Sequence, residues 1–255
     1  MWTALFPNWN SFRFYFFSEE AKEVFNQLKT APFLAKPNKI TPSHLNFLIS
    51  LESSGKIDFF LKAFVPRFFK KNRVKSYLEV VKSLKKLEVP IIEPLFVFWR
   101  SPQVAFLKKE TFYGGIVFPY LSQGFLGFKD FLEREGFLEA LVRFLFRLHQ
   151  KGVFIRDTKF NNFYHTNEEG FKIFDLDGLK VYNPPLDKKL RLKDLSALAM
   201  TLEWSGMKET TKRIWTVYVS LYSGLTQKDF LFFVKQVEKR RKKREKHFAL
   251  TRREV

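Results

Sequence analysis

Between Leu148 and Asp177 the chain gathers residue types that suit one kind of chemistry. Asp157, Lys159 and Asn162 stand together in Arg156-Asp157-Thr158-Lys159-Phe160-Asn161-Asn162, and Asp175 follows eighteen residues after Asp157. Carboxylate and carboxamide oxygens are hard ligands that suit a divalent cation. An aspartate can also take the proton of a hydroxyl, and a lysine can neutralise an anionic oxygen. Phosphoryl transfer needs all three, because it is catalysed mainly by alignment and by neutralising charge on the phosphates. The spacing between the two aspartates leaves room for one tight hairpin that returns the second carboxylate beside the first.

The segment Leu148-His149-Gln150-Lys151-Gly152-Val153-Phe154-Ile155-Arg156-Asp157-Thr158-Lys159-Phe160-Asn161-Asn162 resembles a kinase catalytic loop, whose pattern is R-D-x-K-x-x-N. Asp157, Lys159 and Asn162 match that pattern position by position. The later run Lys172-Ile173-Phe174-Asp175-Leu176-Asp177-Gly178 is similar to the place of the metal-binding Asp in D-F-G. The resemblance implies that Asp157 orients and deprotonates the incoming hydroxyl, while Lys159 steadies the transferring phosphate. It implies that Asn162 and Asp175 hold Mg²⁺ with ATP. Asp177 reads either as a second metal contact or as a solvated loop carboxylate. His149, at a helix end, reads as a packing or hydrogen-bonding residue. Upstream, Lys62 in Phe59-Phe60-Leu61-Lys62-Ala63-Phe64 resembles the kinase lysine that holds the α- and β-phosphates. A cation in an apolar strand needs a partner, which a nucleotide would supply; an edge-strand lysine facing water is the alternative. Glu79 is the obvious carboxylate for Lys62 on the following helix, although it adjoins the core position Leu78.

The elements that must position these residues are legible from their spacing. Residues 12–17 and 45–52 read as strands, and Ser53-Ser54-Gly55-Lys56 turns the second into residues 57–64 as a hairpin. Val74, Leu78, Val81, Leu84 and Leu87 recur every three or four positions, so a helix is expected over 73–87, ended by Pro90 and Pro94. Residues 115–121 read as a strand leading into a connector at Gly124 and Gly127. Phe137, Leu141, Phe144 and Leu148 mark an amphipathic helix that Gly152 can terminate. Short strands are expected at 162–165 and 171–174, and helices after Pro184-Pro185. The C-terminal helix is expected to start at Thr226 with Asp229 as its capping-box-like partner, and to carry Phe230, Phe233, Val234 and Val237 on a mainly apolar side.

Residues 72–95, ending in Val89-Pro90-Ile91-Ile92-Glu93-Pro94-Leu95, are similar to the helix and following strand of the lipopolysaccharide core kinases. Phe174-Asp175-Leu176-Asp177 and Arg191-Leu192-Lys193-Asp194-Leu195-Ser196-Ala197-Leu198 extend the resemblance over about residues 45 to 205. It implies an α+β, protein-kinase-like bilobal fold: a strand-rich lobe over 1–121, a helical catalytic lobe over 122–238, and a basic tail over 239–255. It implies ATP-dependent phosphorylation of 3-deoxy-D-manno-octulosonic acid (Kdo) or heptose in the inner core. Two departures stand out: Ile155 occupies a position where many members carry His, and no glycine-rich loop precedes Leu45.

Composition bounds the partners. The chain has 255 residues, 45% hydrophobic with 33 Phe, which excludes extended disorder. It has no Cys, which excludes disulfides and thiolate metal sites and fits a reducing cytoplasm. Residues 1–17 lack the basic start and apolar run of a signal peptide, and no apolar segment reaches the roughly 20 residues of a spanning helix. The net charge of +19 draws polyanions or is simply a solvated surface. An anionic core sugar is the expected acceptor. An anionic membrane could be met through the run Lys239-Arg240-Arg241-Lys242-Lys243-Arg244-Glu245-Lys246, which would place the protein peripherally on the cytoplasmic face of the inner membrane. A protein or small-molecule kinase of the same fold, or a pseudokinase binding nucleic acid, are the other readings that the residues admit.

Overall fold

A computed structural model of the chain describes residues 9–67 and 71–251. Residues 1–8, part of the stretch read above for a leader, and 252–255, at the end of the expected tail, lie outside the described residues. The chain forms two compact units, one of Met1–Lys82 with Glu93–Gln123, the other of Ser83–Ile92 with Gly124–Val255.

In the first unit the elements run β1 (Arg13–Phe16), α1 (Glu19–Thr30), β2 (Phe33–Ile40), β3 (His44–Leu51), β4 (Phe59–Phe64), α2 (Arg73–Lys86), β5 (Phe96–Trp99), α3 (Pro102–Leu107) and β6 (Gly114–Pro119). The strands form one antiparallel sheet in the order β1-β5-β6-β4-β3-β2. Strand alternation sends Phe47, Leu61, Val117, Phe96 and Phe98 to one face, where they pack with Leu28 of α1. Trp9, Phe14, Phe25 and Phe98 meet there with ring centroids 4.6–6.2 Å apart, so part of the phenylalanine excess fills a core. The helix α1 was not expected, yet its start is well specified. Ser18 Oγ accepts from the Ala21 N–H at 3.1 Å, with Glu19 and Glu20 in the first turn. Strand β2 was also unexpected, since it holds Pro37. It lies at the sheet edge, and its register shifts between Pro37 and Lys39, the two circumstances in which a strand tolerates proline.

The second unit contains α4 (Phe128–Glu133), α5 (Phe137–Gln150), β7 (Val153–Phe154), β8 (Phe163–Thr166), β9 (Gly170–Ile173), β10 (Lys180–Val181), α6 (Lys188–Trp204), α7 (Thr210–Leu221) and α8 (Gln227–Thr251). Helix α5 buries Phe137, Leu141, Phe144 and Leu148 as their spacing requires. Its end depends on Gly152, whose φ of 78° lies in the left-handed region; a Cβ there would sit 2.3 Å from the carbonyl oxygen of Tyr182. Helix α6 is buried nearly all round, from Arg191 to Leu202, and α7 and α8 pack against it. Helix α8 starts as expected: Asp229 accepts from both the N–H and the hydroxyl of Thr226 at 2.8 Å. Phe233 and Val237 are buried under it. The basic run 239–246, expected to trail the lobe as a tail, lies inside this helix. Among the described residues no helix is long and apolar enough to cross a membrane.

Candidate active site

The loop after α5 is built around one buried carboxylate. Asp194 of α6 has no solvent exposure. Its Oδ2 accepts from the backbone N–H of Ile155 at 2.9 Å and from His149 Nε2 at 3.3 Å. Its Oδ1 accepts from the N–H of Arg156 at 2.8 Å and from the Thr158 hydroxyl. A buried carboxylate must be satisfied in this way, and the converse also holds: four donors of the loop and its flanking helix are fixed by one side chain. Between the two anchored amides and Asp157 the backbone of Arg156 takes a φ of 72°, a conformation a non-glycine residue adopts at a cost.

His149 is wholly buried, which holds its pKa below the ordinary histidine range; the hydrogen bond and charge of Asp194 only partly oppose this. Because the Asp194 carboxylate only accepts, the Nε2 of neutral His149 carries the proton, so its Nδ1 accepts from the Tyr218 hydroxyl 2.7 Å away. Burial raises the pKa of Tyr218, keeping it a donor. The packing and hydrogen-bonding role read from the sequence is the one His149 has. Ile155 contributes its backbone N–H to Asp194 and buries its side chain.

This frame presents Asp157, whose side chain is 49% exposed and paired with Lys159 Nζ at 2.7 Å. The carbonyl of Asp157 accepts from Lys159 N at 2.8 Å and from Asn162 Nδ2 at 2.8 Å. The amide oxygen of Asn162 is thereby left to face elsewhere. The main-chain oxygen of Asn162 accepts from Phe174 N at 2.9 Å, continuing the register in which Phe163 pairs with Ile173. Asp175 is the next residue, and its Oδ1 accepts from the N–H of Asp177 at 3.2 Å. The hairpin of β8 and β9 thus brings Asn162 and Asp175 to one end, linked to Asp157 through hydrogen bonds. The connector before it is seated on the same hairpin: Gly124 O accepts from His165 N at 2.7 Å, and Gly124 has no room for a Cβ beside the Tyr164 ring.

Asn162 and Asp175 offer the oxygen donors that a hard divalent cation takes, with phosphate oxygens and water completing its shell. Among the described residues no group of three or more His, Cys, Asp or Glu could hold a metal by itself. A Mg²⁺ bound through one carboxylate, one carboxamide and its nucleotide requires no such group.

In the first unit Lys62 sits on β4 between Asn46 of β3 and Ile116 of β6, and it is buried. β4 is a central strand, which removes the alternative of an edge lysine facing water. Glu79 lies on the exposed side of α2, whose buried face is Val74, Tyr77, Leu78, Val81 and Leu84. The turn between β2 and β3, where a glycine-rich loop is absent from the sequence, is tied by Thr41 Oγ1, which donates to the carbonyl of His44 at 2.9 Å and accepts from its N–H at 3.1 Å. Arg67 Nη2 donates to the carbonyl of Pro42 in the same turn at 2.9 Å.

Two features were not legible in sequence. Asp194 was visible only as part of a D-L-x-x-L run; the signal that could have singled it out is an acid at the head of the mainly apolar stretch over residues 195–202. The other is α8. Arg240 donates from Nε to Ser196 Oγ at 3.0 Å and from Nη2 to the carbonyls of Lys193 at 3.0 Å and Arg156 at 3.3 Å. Arg241 pairs with Glu203, which also accepts from Thr211 N and Oγ1. The basic run therefore braces α6 and the loop that carries Asp157. Beside that loop is a cavity of about 610 Å³, lined by Asp157 and Lys159 and by residues of α6 and α8.

The sequence matches no protein-family model and no curated protein. Among solved structures the chain is similar to amicoumacin kinase hAmiN in complex with AMP-PNP, Ca²⁺ and Ami. The TM-score is 0.51 at 10% sequence identity, covering 88% of this chain and 78% of that one. The expected α+β, protein-kinase-like fold is thereby established, with a strand-rich sheet in one unit and helices in the other.

Proposed function

We propose that this protein is an ATP-dependent phosphotransferase that phosphorylates a hydroxyl of a small molecule. The observation that carries the reading is the loop itself: Asp194 fixes four donors so that Asp157 is presented, half-exposed, on the wall of a cavity. An acid held there orients the acceptor hydroxyl and takes its proton, while Lys159 beside it offsets charge on the transferring phosphoryl group. Asn162 and Asp175 hold the divalent cation, Mg²⁺ in a cell, which supplies charge neutralisation at the phosphates. Lys62, buried on the central strand β4, binds the α- and β-phosphates. Glu79, on the exposed side of α2, is the carboxylate that the sequence offers as its mate. A structure of the same fold that holds AMP-PNP and Ca²⁺ supports ATP and a divalent metal as the cofactors.

The acceptor favoured by the sequence motifs is Kdo or heptose of the lipopolysaccharide inner core, with a peripheral site of action at the cytoplasmic face of the inner membrane. The test is turnover of Mg-ATP with Kdo-bearing and neutral sugar acceptors. Asp157→Ala is expected to lower kcat by about 10²- to 10⁴-fold while AMP-PNP affinity stays near wild type, the range for losing a positioned base. Asp175→Asn is expected to raise the Mg²⁺ concentration needed for nucleotide binding. Equal loss of rate and nucleotide affinity in Asp157→Ala, or an unchanged metal requirement in Asp175→Asn, would defeat the assignment.

A further inference from the structure

Arg240, Lys243, Arg244, His247 and Phe248 recur on α8 at intervals of three and four, so they form one stripe of the helix. All five line the 610 Å³ cavity that Asp157 and Lys159 also line. The other basic residues of the run, Lys239, Arg241, Lys242 and Lys246, are absent from that lining. Four cations, Lys159, Arg240, Lys243 and Arg244, thus line one cavity with a single carboxylate, Asp157. Lys159 and Arg240 are already engaged, the first with Asp157 and the second with backbone of α6 and the loop. Lys243 and Arg244 make no hydrogen bond or ion pair with the described residues. Arg244 is instead laid over the ring of Trp204 at 4.9 Å, and that ring stacks on Phe248 at 5.6 Å. Stacking fixes the guanidinium plane and leaves its edge donors for a ligand.

Resting on the phosphotransferase reading, we propose that this cavity is the acceptor subsite and that Lys243 and Arg244 select a hydroxylated small molecule bearing a carboxylate or phosphate. The volume lies within the range of small-molecule sites. Phe160, Met200 and Phe248 supply the apolar walls against which the carbon face of such a molecule packs. The stripe is tied to the catalytic loop by Arg240, which donates to the carbonyl of Arg156, and its residues share one cavity with Asp157.

The test is calorimetric titration with AMP-PNP and Mg²⁺ present at saturation, so that anionic probes do not enter the nucleotide site. Glucose 6-phosphate and gluconate are expected to bind saturably, one per protein, and glucose at least about tenfold more weakly. Lys243→Gln and Arg244→Gln are each expected to weaken the two anions by about 10- to 100-fold, the worth of one charge-assisted contact, and to leave AMP-PNP affinity alone. Absence of saturable anion binding, equal affinity for glucose and glucose 6-phosphate, or unchanged anion binding in both variants would overturn the proposal. So would variants that lose sedimentation with phosphatidylglycerol vesicles but retain glucose 6-phosphate affinity, since the cations would then serve a surface. If the anions bind as expected and AMP-PNP does not bind at all, the anion site stands and the phosphotransferase reading falls.

Discussion

Asp194→Asn is nearly isosteric, yet it sets a donor where two donors already point. In the wild type each carboxylate oxygen serves two groups: Arg156 N–H and the Thr158 hydroxyl at Oδ1, Ile155 N–H and His149 Nε2–H at Oδ2. If the new amide nitrogen replaces Oδ1, the Thr158 hydroxyl can rotate to accept from it, but the Arg156 N–H is stranded. If it replaces Oδ2, His149 can shift its proton to Nδ1 and the Tyr218 hydroxyl can turn, but the Ile155 N–H is stranded. Either way one buried backbone donor loses its acceptor, which costs about 1–3 kcal/mol, and the remaining bonds lose their charge assistance. A total of about 2–5 kcal/mol follows, a large share of the roughly 5–15 kcal/mol by which a domain is stable. The released amide also removes the restraint on Arg156, whose φ of 72° would relax. Asp157 then loses its fixed direction, so turnover should fall at least about 100-fold while AMP-PNP still binds. Urea unfolding gives the stability and steady-state turnover gives the rate. A midpoint within error of wild type, or undiminished kcat in a folded variant, refutes the claim that Asp194 sets the loop.

Truncation before Lys239 removes the Arg240 bonds to Arg156 O, Lys193 O and Ser196 and the Arg241–Glu203 pair, so it should destabilise the protein by about 3 kcal/mol or more and abolish turnover of soluble acceptors. A detached tail would instead leave soluble turnover intact, which an assay on vesicle-free acceptor decides. Acid should weaken the fold through His149: burial holds its folded pKa below the unfolded value near 6.5, so the unfolded state takes up the proton first. That stability is fully present above pH 6.5 and is lost as pH falls through it. Between pH 7.5 and 5.5 the wild type should lose about 1 kcal/mol more than His149→Gln in urea titrations; parallel losses would show that His149 does not titrate there.

Residues whose role is set by neighbours in sequence were legible. The 3.6-residue spacing in α2 and α5, the turn over 53–56 and the hairpin of β8 and β9 follow from local pattern, because helix faces and tight turns are specified within a few residues. Asp157, Lys159, Asn162 and Asp175 were found for the same reason, being carried on one loop and one hairpin. The elements missed were α1, β2, β5, α3, α4, β7 and β10. In β2 the polar residues and Pro37 mask the strand, and only its place at the sheet edge makes them tolerable. In α1 the cap at Ser18 and the three- and four-residue spacing of Ala21, Val24, Phe25 and Leu28 were available but overlooked.

What the sequence alone determined, then, is the chemistry on offer: a hairpin-borne pair of carboxylates, a lysine in an apolar strand and a strongly basic C-terminal run. Tertiary structure decided where the lysine and the basic run point, and what Asp194 holds. Strand order made β4 central and so buried Lys62, since burial on both faces depends on which strands flank it. The packing of α6 beneath the loop turned Asp194 from one charged residue among many into the acceptor for four donors. Contacts between residues some forty to eighty positions apart brought Arg240 onto Ser196 and Arg156 and made the basic run a wall of the cavity beside Asp157. No local pattern encodes such pairings, because a charged helix face is equally compatible with water, a membrane or a partner within the same chain until the helices pack.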